Sequence, residues 1–231
     1  MLHLEKLEIS QDGFHLSATW SASVGEMIAV IGPSGGGKSS LLLAVAGFLQ
    51  PASGRVLWLG RDLTLLAPAL RPISILFQDQ NLFPHLTIAQ NLGLALAPNL
   101  RLGPDQTARI DRVLERLGLT GLGNRRPADL SGGQQGRAAL GRVLLQARPV
   151  LLLDEPFAAL GPALKTDLLT LVRDLAAEAG TLVLLVTHDP ADAQRFAGRT
   201  VLVDGGVAHA PSTTKDLFTD PPAGLRTYLG T

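Results

Sequence analysis

Residues 26–40, EMIAVIGPSGGGKSS, pass from a short apolar strand pattern through a glycine-rich turn into the helix-forming run KSSLLLAVAGFL. Two later stretches, PVLLLDEP at 149–156 and TLVLLVTHD at 181–189, are apolar at nearly every position and are separated by the helical pattern ALKTDLLTLVRDLAAEAG. Strands without polar alternation have no face to give to water. Alternating with helices, they predict a buried parallel sheet and an α/β fold class.

The glycine-rich turn also carries chemistry. Gly32, Pro33, Ser34, Gly35, Gly36, Gly37, Lys38, Ser39 and Ser40 spell Gly, four residues, Gly-Lys-Ser between a strand and a helix. Backbone N–H groups from Gly35 to Lys38 can curl around an anion where no Cβ intervenes, and the helix N-terminus adds partial positive charge. Lys38 supplies a mobile charge for β- and γ-phosphates. Ser39 offers a hydroxyl ligand to Mg²⁺. The expected ligand is a nucleoside triphosphate.

Asp154 and Glu155 end the apolar strand VLLLD. In a sheet of this class the carboxyl ends of the strands face the ligand crevice. Asp154 is therefore the expected Mg²⁺ ligand, leaving Glu155 to polarise an attacking water. One strand later His188 occupies a similar tip, positioned to bond a γ-phosphate and hold the water in line. Gln78, ending ISILFQ, can reach Mg²⁺ or its water through the amide oxygen. His3, His15, His85 and His209 read as structural.

The rest of the chain predicts an antiparallel hairpin over residues 2–20 around QDG, a turn at PASG leading to RVLWLG, helices from about 87 to 147, a second hairpin at RTVLVDGGVAHA and a short terminal helix. One domain over 1–231, with the helical part inserted, is the expected organisation. The chain is 46% hydrophobic with twenty basic and twenty acidic residues, so bulk charge makes no case for nucleic acid. It has no cysteine, which removes thiolate chemistry. The charged N-terminus, MLHLEKLEIS, does not read as a signal peptide. The longest apolar runs fall short of the ~20 residues of a membrane span.

A second anion-binding helix start appears at LSGGQQGRAALGR, where Ser131, Gly132, Gly133 and Gln134 precede a helical run. With the cradle, LFQ, LSGGQ, LLLDEP and VTHD in that order, the chain resembles the nucleotide-binding subunits of ABC transporters over essentially its whole length. The resemblance implies a P-loop NTPase with a mostly parallel core sheet, an antiparallel β subdomain and an inserted α-helical subdomain. It also implies ATP and Mg²⁺, and a homodimer in which each ledge, through Ser131 and Gly133, holds the γ-phosphate of the nucleotide in the partner's cradle. An integral permease would dock near Gln78 to Leu86, where Leu82, Phe83 and Pro84 are either docking surface or core. A periplasmic solute-binding protein would act indirectly, and the subunit would sit at the cytoplasmic face of the inner membrane.

Within that family, GFLQPASG at 47–54 and LFQDQNLFPHLTIAQNLGLAL at 76–96 resemble the thiamine-importing branch, as does a chain lacking a C-terminal regulatory domain. Importers of iron(III), molybdate and sulfate share much of the pattern. Alternatives from other classes are a soluble ABC-type ATPase acting on nucleic acid or the ribosome, and a binding module with little turnover. Several positions depart from the family. Ala158 and Gly161 stand where serine and aspartate are usual in the loop linking the two ATP sites. Gly136 replaces a helical glutamine, at ~1 kcal/mol relative to alanine. Gln11 and Asp12 occupy the turn that would carry the adenine-stacking aromatic, leaving Phe14 as either that aromatic or a core residue.

Overall fold

The computed structural model describes residues 1–11, 13–79 and 82–229. The expected N-terminal hairpin is formed by β1 (Leu2–Gln11) and β2 (Phe14–Ala22), antiparallel with Leu2 opposite Ala22. Asp12 at its turn lies outside the described residues. Strand β3 (Met27–Ile31) feeds α1 (Lys38–Ala46). Strands β4 (Ser53–Trp58) and β5 (Arg61–Asp62) extend the hairpin by antiparallel pairing, and β6 (Ile73–Leu76) follows. Helices α2 (Ile88–Gly93), α3 (Pro104–Arg116) and α4 (Gly132–Leu145) fill the stretch read as helical.

The α/β alternation then resumes with β7 (Val150–Asp154), α5 (Pro162–Ala179), β8 (Leu182–Val186), α6 (Pro190–Phe196) and β9 (Arg199–Asp204). Strands β10 (Val207–Ala208) and β11 (Ser212–Thr213) both pair with β9. Two terminal helices close the described chain, α7 (Thr214–Thr219) and α8 (Ala223–Leu229), where the sequence pattern gave one.

The strands form one sheet in the order β5-β4-β1-β2-β10-β9-β3-β8-β7-β6, with β11 beside β9. From β6 to β9 the pairing is parallel, and from β9 outward it is mostly antiparallel. This is the mixed architecture expected from the pattern. Successive residues of β3 point to opposite faces, so Ile28 and Val30 join a core with α1 and the hairpin, whereas Ala29 and Ile31 join a core with α2–α6. Helix α1 is thus enclosed between the parallel strands and the antiparallel wing, which is why it is apolar on all sides.

Register fixes the crevice. Val30, Val186 and Asp154 lie on one rung across β3, β8 and β7, and Leu76 pairs Leu153 one position earlier. The turns after these strands consequently emerge side by side: the glycine-rich loop, Thr187–His188, Glu155 and Phe77–Gln78.

Candidate active site

The glycine-rich loop is held by its own lysine. The Lys38 ammonium donates to the carbonyls of Gly32 and Pro33, each at 2.9 Å, and its side chain is buried. Burial pulls this ammonium below the ordinary lysine range, while Glu155 and Asp154 act in the opposite direction. Gly37 caps α1 at φ 98°, and a Cβ there would stand 2.2 Å from the Phe14 ring. Glycine is therefore required both by the backbone and by the close approach of that ring. One detail differs from the sequence reading: the Gly36 N–H is not free, because it donates to the Pro33 carbonyl at 3.1 Å. A tight turn inside the loop uses that donor.

Phe14 is half-buried and lines the open cavity over the loop with Ser34, Gly35, Gly37, Lys38, Ser39, Ser40 and Glu155. Phe14 also packs against the core shared by α1 and the hairpin, so it is at once a core contact and part of the cavity wall.

Across the crevice, the Ser39 hydroxyl donates to Asp154 Oδ1 at 3.0 Å. Burial raises the Asp154 carboxyl, an effect that the Ser39 hydrogen bond partly offsets. Glu155 adopts φ 45°, a left-handed backbone that non-glycine residues enter at a cost of ~1 kcal/mol or more. Its N–H is bonded to the Val186 carbonyl at 3.1 Å, and its Oε2 lies 2.7 Å from His188 Nδ1. The strained turn thus points the second carboxylate at the histidine on the adjacent strand tip. Gln78 is exposed on the turn after β6 and does not line the cradle.

The segment around His188 is braced by residues that sequence reasoning passed over. Lys165 of α5 forms ion pairs with Asp192 and with Asp189, the latter at 3.2 Å. The Thr187 hydroxyl donates to Asp192 at 2.9 Å, and the Asp189 N–H donates to Thr187 Oγ1 at 3.1 Å. Burial disfavours the charge on Lys165, but its hydrogen bonds to Asp192 and Asp189 outweigh that and lift the ammonium above its ordinary range.

The ledge is a capped helix start. Ser131 accepts from the Gln134 N–H at 3.4 Å, and Gln134 Oε1 accepts from the Ser131 N–H at 2.9 Å. Gly133 is buried, and a Cβ there would meet Leu164 Cδ2 at 2.4 Å. Its lack of a side chain serves packing against α5 as well as any ligand. None of Ser131, Gly132, Gly133 and Gln134 lines the cavity over Lys38. One copy of the chain does not bring its two helix starts together.

In the proposed docking segment, Gln80 and Asn81 lie outside the described residues. Leu82 is half-buried and Phe83 exposed, with Arg142 of α4 placed over the Phe83 ring 5.9 Å from its centroid. Asn91, fully buried on α2, accepts from the Phe83 N–H at 2.7 Å and has its amide nitrogen 3.0–3.2 Å from the carbonyls of Phe83, Leu86 and Thr87. A polar residue on the apolar Ile88–Leu92 face was the signal available in the sequence. Asn91→Ala should leave the Phe83 N–H and the Leu86 carbonyl without this partner, while the carbonyls of Phe83 and Thr87 keep the N–H groups of Leu86 and Asn91, and cost about 1–3 kcal/mol. A thermal melt should drop by roughly 2–4 °C per kcal/mol in a chain of this size. An unchanged melt would show that water replaces the amide.

In the loop at 157–161, Gly161 caps α5 without a side-chain hydrogen bond, and a Cβ there would meet nothing within 4 Å. The space for the side chain usual in the family exists here.

Comparison with known proteins gives the family. A family model described as ABC transporter matches residues 17–158. The chain is 64% identical over 230 residues to the thiamine import ATP-binding protein of Cereibacter sphaeroides, with 100% of each covered. It is 47% identical over 208 residues to the protein of that name from Salmonella typhimurium, covering 89% of this chain and 88% of the relative. Among solved structures, a dimeric ATP-binding cassette in a post-hydrolysis state with ADP and Pi superposes with TM-score 0.80 at 28% identity, covering 93% of this chain and 99% of that one. CbiO1 of Clostridium perfringens, part of an ABC transporter complex, gives 0.84 at 30% identity over 95% of this chain and 90% of its own. The chain belongs to the ABC transporter family and carries its ATP-binding domain.

Proposed function

We propose that this protein is the ATP-hydrolysing subunit of a bacterial thiamine importer, working as a pair of copies that enclose two ATP molecules. The observation that carries the enzymatic part is the Glu155–His188 contact on adjacent strand tips beside the Lys38 cradle. The cargo rests on the full-length 64% identity to a thiamine import ATP-binding protein.

In this reading the loop from Gly32 to Ser40 wraps the phosphates, and the Lys38 ammonium turns from the Gly32 and Pro33 carbonyls toward them. The residues fit such a ligand: a buried cation with only backbone carbonyls as hydrogen-bond partners gains a charged acceptor. Mg²⁺ fits the hard oxygens of Ser39 and Asp154, which meet at 3.0 Å, and would neutralise charge on the phosphate oxygens; Gln78, exposed outside the cradle, would have to turn in to join them. Glu155 accepts the proton of the attacking water, and His188 orients Glu155 while reaching toward the γ-phosphate. Phe14 offers its ring to the adenine.

Ser131, Gly132, Gly133 and Gln134 hold the γ-phosphate of the nucleotide in the partner's cradle. This division of labour is supported by the ledge being absent from the lining of its own copy's cavity. No helix among the described residues is long and apolar enough to cross a membrane, so coupling requires a permease. We assign its docking to Gln78–Leu86, with the exposed Phe83 as an anchor, which places the subunit on the cytoplasmic face of the inner membrane. A periplasmic binding protein would deliver the solute to the permease.

Deleting the gene should abolish uptake of labelled thiamine at nanomolar concentration. Wild-type protein should restore it, and Lys38→Ala, lacking the cradle charge, should not. Retained thiamine uptake in the deletion strain, with loss of iron(III), molybdate or sulfate uptake instead, would reassign the cargo.

A further inference from the structure

His188 has a half-exposed side chain, so packing alone does not fix its direction. Its neighbours are secured from α5 and α6 through Lys165, Asp189 and Asp192, and of the peptide that joins His188 to Asp189 these bonds hold only the N–H side, through Thr187 Oγ1 at 3.1 Å. The hydroxyl of Tyr228, on the terminal helix α8, donates to the His188 carbonyl. We infer that Tyr228 is a positioning residue for ATP hydrolysis, fixing the His188 peptide so that the imidazole keeps its register with Glu155. The inference rests on the catalytic reading of His188 given above.

The terminal helix is built to hold that hydroxyl in place. Leu225 is fully buried in the core shared by α2–α6, and the Tyr228 ring packs against the same core. Gly224 lies so close to β9 that a Cβ would stand 1.9 Å from the Asp204 carboxylate. Arg226 closes the turn before the helix by donating to the Pro221 carbonyl at 2.7 Å and to Asp220 at 3.2 Å. These contacts seat one face of α8 on the core and set where its tyrosine stands.

The chemistry of the phenol agrees with a permanent donor. Burial, with the negative charges of Glu155 and Asp189 nearby, pushes Tyr228 above the usual tyrosine range, so the phenol is a donor at neutral pH. Without that bond the peptide after His188 is held by its N–H alone, and a small tilt about that single contact is multiplied along the side chain to the imidazole. Orientation of the catalytic pair then degrades while the phosphate cradle, which Tyr228 does not line, is untouched.

The test uses purified full-length protein and steady-state ATP hydrolysis. Tyr228→Phe keeps the ring and removes only the hydroxyl. It should lower kcat roughly threefold to tenfold, the worth of one hydrogen bond, and leave KM for ATP and the thermal midpoint near wild type. His188→Ala, measured alongside, should lower kcat much further. Loss in His188→Ala with wild-type kcat in Tyr228→Phe would overturn the inference and leave the catalytic reading standing. Wild-type kcat in His188→Ala would overturn both. A fall in Tyr228→Phe that tracks a lower melting midpoint, or that appears equally in KM, would show a structural role and also overturn it.

Discussion

Glu155→Gln should reduce ATP turnover by roughly 10²–10⁴-fold and leave ATP binding intact. The amide has the shape of the carboxylate and can meet His188 Nδ1 at the same 2.7 Å, so the strand-tip geometry is preserved. It cannot accept a proton from water. The substitution also removes a negative charge that acts on Lys38 and Asp154, next to where a triphosphate would sit, so nucleotide should be held more tightly. With ATP bound and not consumed, two copies should remain closed. Size-exclusion chromatography with ATP and Mg²⁺ should therefore show a dimer for the variant and a monomer with ADP. Hydrolysis at the wild-type rate would remove Glu155 from the role of base. A monomer under saturating ATP would undo the idea that the Ser131 ledge completes the partner's site.

Much of this site was legible because it depends on short-range order. Gly32–Ser39 announce a loop between strand and helix, and Leu151–Leu153 and Val183–Val186 are apolar throughout because both faces of β7 and β8 are covered. Parallel strands whose tips align by register bring Asp154, Glu155 and His188 together without further information. The braces were not legible. Tyr228 meets a carbonyl forty positions away, and nothing in RTYLG tells a surface tyrosine from one that reaches the crevice. Gly133 reads as a ligand-facing glycine, yet the atom that excludes a side chain belongs to Leu164. The Gly36 N–H reads as an anion donor and is used by a turn within the loop. For Tyr228 and Gly133 the local pattern was silent about which distant group lies beside it, and for Gly36 it missed a turn closed within the loop itself.

Arg71 carries the largest stability effect expected for a single side chain outside the apolar core. The residue is 2% exposed, and its guanidinium donates to backbone carbonyls only: Leu66 at 2.9 Å, and Thr64, Ala44 and Val45 each at 2.8 Å. Ala44 and Val45 lie in the last turn of α1, where the macrodipole is negative and where the Val45 carbonyl has no helical partner, while that of Ala44 is shared with the Gly47 N–H at 3.2 Å. Burial lowers the pKa of Arg71, opposed by Asp62, and an arginine so placed still keeps its proton. The Arg71 carbonyl is in turn bound by Arg148, which also holds those of Pro68, Ala69 and Ile73. Arg71→Met fills much of the same volume but strands the carbonyls of Leu66, Thr64 and Val45, that of Ala44 keeping the Gly47 N–H, and the cost should be about 3–5 kcal/mol. Arg71→Lys keeps the charge and fewer of the directed donors, so it should fall between. The exposed Arg55–Glu5 pair gives the contrast, since an Arg55→Met change should cost no more than about 1 kcal/mol. Because the other end of α1 begins at Lys38, a loosened C-terminus should also weaken ATP binding in Arg71→Met, although Arg71 does not line the cradle. Denaturant titration of the three variants decides the matter. If Arg71→Met is no worse than Arg55→Met, water reaches the stranded carbonyls, and the helix behind the cradle does not depend on this arginine.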